Sequence, residues 1–159
     1  MTNKLAWLAG LWDGEGSITI FKTKIGKRIK YCPSLNIVNN DIVIMNEVEK
    51  IILNLGASMH WVTREHNNIK HATSYTLITR NHHQIKKIVS AIEPYLIGKK
   101  AQAEIILRFI EKRQKQLEIK PTHIGPDNEL DEMCEKILGL NRKGPKSPTT
   151  ICKGTLYKI

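Results

Sequence analysis

The chain has 159 residues, enough for one domain with a sizeable core, and no shift in composition along it demands a second. Its 25 Lys and Arg against 15 Asp and Glu leave a formal charge of +10, which favours a polyanionic partner, nucleic acid ahead of an anionic membrane surface. No apolar run approaches a membrane span and no signal-peptide pattern opens the chain, so an intracellular protein without a membrane partner is expected; Cys32, Cys134 and Cys152, widely spaced and without a Cys-x-x-Cys pair, argue against a disulfide framework and a zinc site.

Residues 5 to 16, Leu-Ala-Trp-Leu-Ala-Gly-Leu-Trp-Asp-Gly-Glu-Gly, predict an apolar helix with no polar stripe, which must pack on two sides. Ala6, Ala9 and Gly10 leave one face almost without side chains, so a second helix could approach its backbone closely, while Trp7, Leu8, Leu11 and Trp12 remain to fill a core. Gly14 and Gly16 favour an exit from the helix, which sets Asp13 and Glu15 at its partially negative end, at a cost of roughly 0.3–1 kcal/mol. A bound hard divalent cation would reverse that cost; a solvated acidic turn is the alternative.

Next, Ser17 to Thr23 alternates Ser17, Thr19, Phe21 and Thr23 with Ile18, Ile20 and Lys22, and Tyr31 to Val38 opposes Leu35 and Ile37 to Ser34 and Asn36, so a hairpin around Gly26 is expected. Lys22, Lys24, Lys27, Arg28 and Lys30 have no balancing acid among them, which suits a ribbon lying in a DNA major groove as well as a merely soluble outer face. Asp41 is a good N-cap for a helix carrying Ile44, Val48, Ile51, Ile52 and Leu55 on one side and ended by Gly56. Residues 58–65 and 72–80 predict a second hairpin with Tyr75 and Leu77 inward and Ser74, Thr76 and Arg80 outward; His66 and His71 in its connection lack a third ligand at fixed spacing.

Asn81 then caps a helix with Ile85, Ile88, Val89 and Ile92 at helical spacing, ended by Pro94, with His82 and His83 turned to solvent. Residues 98–117 predict a longer helix that presents Ile105, Ile106, Phe109 and Ile110 to the core and Lys112, Arg113 and Lys115 to water. Asp127 caps a last helix with Leu130, Met133, Cys134, Ile137 and Leu138 on one side and a solvated acidic face, before a basic tail over residues 142–159. This order implies an α+β domain whose antiparallel sheet has one face on helices and the other free and basic.

Leu8 to Gly16, Leu-Ala-Gly-Leu-Trp-Asp-Gly-Glu-Gly, continued by Ser17-Ile18-Thr19-Ile20 as a strand, closely resembles the signature of the LAGLIDADG homing endonucleases. The resemblance implies an αββαββα-like fold, with an endonuclease core over residues 1–117 and with residues 118–159 as the C-terminal helix and basic tail of the same domain. It implies that two such helices pack together and that their last acids hold metal, with Glu15 as ligand, the Gly14 carbonyl as helper and Mg2+ or another hard divalent cation as cofactor. Residues 37–41 resemble the junction that carries a water-positioning polar residue, which is Asn40 counted back from the helix-ending glycine and Asp41 counted forward from the strand. Residues 42–45 offer none of the basic residues that the family often adds there. Tyr95 to Lys100 resembles the segment with a basic residue near the scissile phosphate, and Lys99 is the closer match than Lys100.

Only one copy of the motif occurs, so a homodimer is the economical expectation: Ala6, Ala9, Gly10 and Asp13 would meet a symmetry mate and bring two Glu15 carboxylates onto shared cations. The expected activity is cleavage of a near-palindromic double-stranded DNA, with Ser17, Thr19, Thr23, Arg28, Lys30, Ser34, Asn36, Ser74, Thr76 and Arg80 as groove contacts. An RNA-binding splicing maturase acting on intron RNA, or a DNA-binding regulator that does not cut, would use the same scaffold.

Overall fold

A computed structural model of the chain describes residues 2–26, 28–65, 73–119 and 127–142. Helix α1 (Thr2–Glu15) runs straight into strand β1 (Gly16–Ile25), which turns at Gly26, with φ of +61°, into β2 (Arg28–Asn39). Helix α2 (Ile42–Asn54), β3 (His60–Arg64) and β4 (Ser74–Thr79) follow, then α3 (His82–Ile92), a short turn at Glu93–Tyr95, α4 (Lys100–Ile119) and α5 (Asn128–Asn141). The four strands are antiparallel in the order β1-β2-β4-β3, so the expected α+β architecture is the observed one. His66, His71, Cys152 and the basic tail beyond Arg142 lie outside the described residues.

The register explains why the sheet has two unlike faces. Leu35 pairs with Ile18 and with Thr79, Ile37 pairs with Leu77, and Leu77 pairs with Trp61, so one face collects Ile18, Ile20, Leu35, Ile37 and Leu77, all fully enclosed. The helices cover this face with side chains at helical spacing: Leu8 and Trp12 of α1, Met45, Val48 and Ile52 of α2, Ile85, Ile88 and Ile92 of α3, and Ile106, Phe109 and Ile110 of α4. Each such burial contributes about 1.5–3 kcal/mol before the entropy of ordering is subtracted. Polar ends hold the helices in place, since Asp41 Oδ1 accepts the N–H of Val43 at 2.8 Å and Asn81 Oδ1 that of His83 at 2.9 Å.

Helix α5 changes the expected surface. It packs against β1, and Asp131 faces the hairpin instead of water, accepting the Tyr31 hydroxyl at 2.6 Å and pairing with Lys22 at 2.7 Å, while Glu129, Glu132 and Glu135 are exposed as expected and Asn141 Nδ2 donates to the Ile18 carbonyl at 2.9 Å. Lys112, expected in water, pairs with Asp127 at 2.9 Å and Glu129 at 2.6 Å, and Arg113 is half-buried beside them. His82 is likewise half-buried, with its ring 6.1 Å from that of Phe109; burial, then the charge of Arg113, lowers its pKa. The pairings of Lys22 and Lys112 share a cause, because the amphipathic pattern of α5 fixes which side is apolar but not which basic groups Glu129 and Asp131 meet. Among the described residues no helix is long and apolar enough to cross a membrane.

Candidate active site and nucleic-acid interface

Within one chain, α1 is covered on one side only. Leu8, Ala9 and Trp12 are enclosed, whereas Ala6, Trp7, Gly10 and Gly14 are exposed, and a Cβ built on Gly10 or Gly14 meets no atom within 4 Å. Two expectations are corrected here. Trp7 does not fill the core but is 42% exposed, and Ala9 does not share the open face with Ala6 and Gly10 but packs under Leu8 and Trp12's side of the helix. The reason is the helical period: Ala9 lies three residues before Trp12, on the enclosed face. At the helix end the glycine is structurally required, since a Cβ on Gly16 would lie 2.2 Å from Cδ1 of the buried Trp12 indole.

Asp13 also departs from its expected place at a dimer contact. Its carboxylate accepts three backbone N–H groups, from Ile97 at 2.8 Å, Gly98 at 3.0 Å and Lys99 at 2.8 Å, and the Lys99 ammonium donates to the Asp13 carbonyl. The Lys99 carbonyl accepts the N–H of Ala103 at 3.0 Å, so Asp13 caps the positive N-terminus of α4 from outside. Burial opposes ionisation of Asp13, but these N–H donors and the charge of Lys99 outweigh it and hold its pKa below the ordinary carboxylate value. Of the two candidate lysines, Lys99 is the one held at the end of α1; Lys100 is exposed and lies 3.7 Å from Glu93. A cleft of about 410 Å³ opens here, lined by Asp13, Gly14, Ser17, Lys99, Gln102 and Asn141 among others.

Glu15 lies on the other side of the same helix end. It is exposed and shares a recess of about 200 Å³ with Val38, Asn39 and Asn40. Asp41 is not in that recess: its carboxylate caps α2, and its own N–H is held by Asn39 Oδ1 at 2.9 Å. Of the two junction residues it is therefore Asn40 that stands beside Glu15, with Asn39 as a neighbour that the strand pattern did not single out. The donor set fits a hard cation. Glu15 offers carboxylate oxygens, and the last carbonyls of α1, Gly14 among them, have no following helical turn to donate to them. Among the described residues no three His, Cys, Asp or Glu side chains gather, so one chain brings a single carboxylate, which suits Mg2+ with waters and substrate phosphates as its remaining ligands.

The free face of the sheet carries most of the expected groove contacts. Ser17 pairs with Asn36 and Thr23 with Lys30 on that face, Thr76 joins them from β4, and Ser74 stands opposite Arg64 of β3. Arg80 follows β4 and is exposed, and the backbone of Arg28 pairs with Ile25, its side chain lying outside the described residues. Thr19 and Ser34 are a correction. They pair with each other on this face but are only 6% and 1% exposed, because they are short side chains flanked along their strands by Phe21, Cys32 and Asn36. Sequence reasoning passed over β3 as a contributor: His60, Val62 and Arg64 alternate onto the same face and are exposed.

The end of α1 thus sets an open small-residue helix face and an exposed carboxylate beside a sheet face that carries exposed Lys30 and Arg64. The chain matches the LAGLIDADG endonuclease family over residues 8–110 and belongs to that family. In fold it is similar to the homing endonuclease I-CvuI, solved in complex with the I-CreI target, at 21% identity and a TM-score of 0.66, with 92% of this chain and 87% of that chain covered. It is similar also to the archaeal intron-encoded I-Vdi141I complexed with DNA, at 15% identity and a TM-score of 0.66, covering 93% and 90%. With the LAGLIDADG homing endonuclease I-GzeII in complex with its DNA target, the identity is 20% and the TM-score 0.59, over 86% of this chain and 43% of that one. No curated protein matches the chain by sequence.

Proposed function

We propose that the protein is a site-specific endonuclease that binds double-stranded DNA as a homodimer and hydrolyses one phosphodiester in each strand. The observation that carries this is the pairing, on one helix, of an open Ala6 and Gly10 face with an exposed Glu15 at its end. Two copies of α1 meeting through that face would bring two Glu15 side chains together, and like carboxylates at short range need shared cations to stay ionised. Mg2+ or another hard divalent cation, held by Glu15 and the Gly14 carbonyl, would activate water and neutralise the leaving oxygen.

The chain's own groups do the rest. Asn40, exposed beside Glu15, orients water, and Lys99, held by its bond to the Asp13 carbonyl, adds positive charge where a pentavalent phosphate develops negative charge. In the step, the water oxygen bonds to phosphorus, one phosphorus–oxygen ester bond breaks, and the departing oxygen takes up a proton. Across the free face of the sheet, Ser17, Thr23, Lys30, Asn36, Ser74, Thr76 and Arg80 meet the groove of each half-site, and cations at the hairpin answer the phosphates.

The test exposes the wild-type chain and Glu15→Gln to a randomised duplex pool, with Mg2+ or EDTA, and sequences both cut ends and retained duplexes. Metal-dependent cutting at one near-palindromic site, lost in a variant that still retains the site, is the expected result. Retention without cutting by the wild type would indicate a regulator, and preference for structured intron RNA over any duplex would indicate a maturase.

A further inference from the structure

The free face of the sheet is not uniformly polar. Phe21 is 43% exposed, Val38 36% and Val62 40%. The register arranges them as two apolar stations: Phe21 stands opposite Cys32, while Val38 and Val62 both pair with Thr76, so that methyl-bearing side chains form a row across β2, β4 and β3. Single exposed apolar residues are common on any protein, but a row on the face that also carries the exposed Thr23, Lys30 and Arg64 is a different matter. Phosphates offer such groups nothing. In a major groove, the base-edge feature that an apolar side chain recognises is the C5-methyl of thymine.

We propose that Phe21 and the Val38–Thr76–Val62 row are specificity-determining, each packing against a thymine methyl in the half-site. The inference rests on the proposed function, because the face must meet duplex DNA. The surrounding cations and the chain's charge of +10 complement that partner. The stations also have a spacing. Cys32 and Val38 lie six residues apart on β2, about 20 Å at ~3.3 Å per residue, which is at most about six base pairs at ~3.4 Å of rise each. Val38 shares the Glu15 recess, so its thymine lies nearer the cut and that of Phe21 lies outward, towards the hairpin turn at Gly26.

The experiment selects duplexes bound by the full chain from a randomised pool, in Ca2+ and in EDTA, and then replaces each thymine of the selected half-site by deoxyuridine, which keeps the pairing and removes the methyl. Uracil at one inner and one outer position, no more than about six base pairs apart, is expected to weaken binding about fourfold each, the effect of one lost methyl burial. Phe21→Ser should lose the outer dependence alone and Val38→Ser the inner one alone. A selected duplex that binds equally well with uracil throughout overturns the inference and leaves the proposed function standing, as does a uracil dependence that neither substitution alters. Selection of no duplex at all overturns both. The uracil series on the wild-type chain needs no variant to fold.

Discussion

Asp13 and Lys99 bind each other's backbone: the Asp13 carboxylate accepts the N–H of Lys99 at 2.8 Å, and the Lys99 ammonium donates to the Asp13 carbonyl. Residues 86 positions apart are thereby fixed at the point where α1 ends and α4 begins. The first acid of the motif thus serves the lysine and the helix cap, leaving Glu15 as the acid that is open to a ligand.

Asp13→Ala removes the acceptor of three N–H groups at a helix start and is expected to cost about 1–2 kcal/mol, read from the midpoint of urea unfolding. The ionised form should matter as well. The folded-state pKa of Asp13 lies below 3.8, so its charge contributes stability that is present above pH 3.8 and lost as pH falls through the lowered value. The stability difference between wild type and Asp13→Asn should therefore shrink as unfolding is measured at progressively lower pH; a difference independent of pH between neutrality and pH 2 would refute the charged cap.

Gly16→Ala tests the closeness of backbone and indole. With Trp12 fully enclosed and the new Cβ 2.2 Å from it, the ring must shift within a filled core, at an expected cost of about 1–3 kcal/mol. A thermal melt unchanged by the substitution would show that the indole has room to move.

Gly10→Leu separates folding from assembly. Nothing lies within 4 Å of a Cβ there and leucine is the better helix former by up to about 1 kcal/mol, so the single chain should fold at least as stably as the wild type. The added side chain would hold a second α1 away. Sedimentation should then give the mass of one chain for the variant and of two for the wild type, with cutting lost in parallel; a variant that stays dimeric would move the interface elsewhere.

Tyr31→Phe addresses the docking of α5. The hydroxyl donates to Asp131 at 2.6 Å and accepts the N–H of Asp127 at 3.3 Å, and burial followed by Asp131 pushes its pKa up to about 12. Loss of the hydroxyl is expected to destabilise the fold by about 1 kcal/mol, because Asp131 keeps Lys22 as a partner while the Asp127 N–H keeps none of the phenol. Amide exchange should then quicken over residues 128–141 more than over α2.

Period and punctuation in the sequence determined the helices, both hairpins and the caps Asp41, Asn81 and Asp127, since alternation, helical spacing and N-capping are local properties of consecutive residues. The motif itself was legible for the same reason, its acids and glycines being neighbours in the chain. Tertiary structure alone decided how those residues are used. It turned Asp13 towards residues 97–99, set Asn40 rather than Asp41 beside Glu15, enclosed Thr19 and Ser34 on an otherwise open face, and joined Asp131 of α5 to Lys22 and Tyr31. Each of these depends on which groups distant in sequence come within hydrogen-bonding or packing distance, and no periodicity along one segment encodes its partner on another.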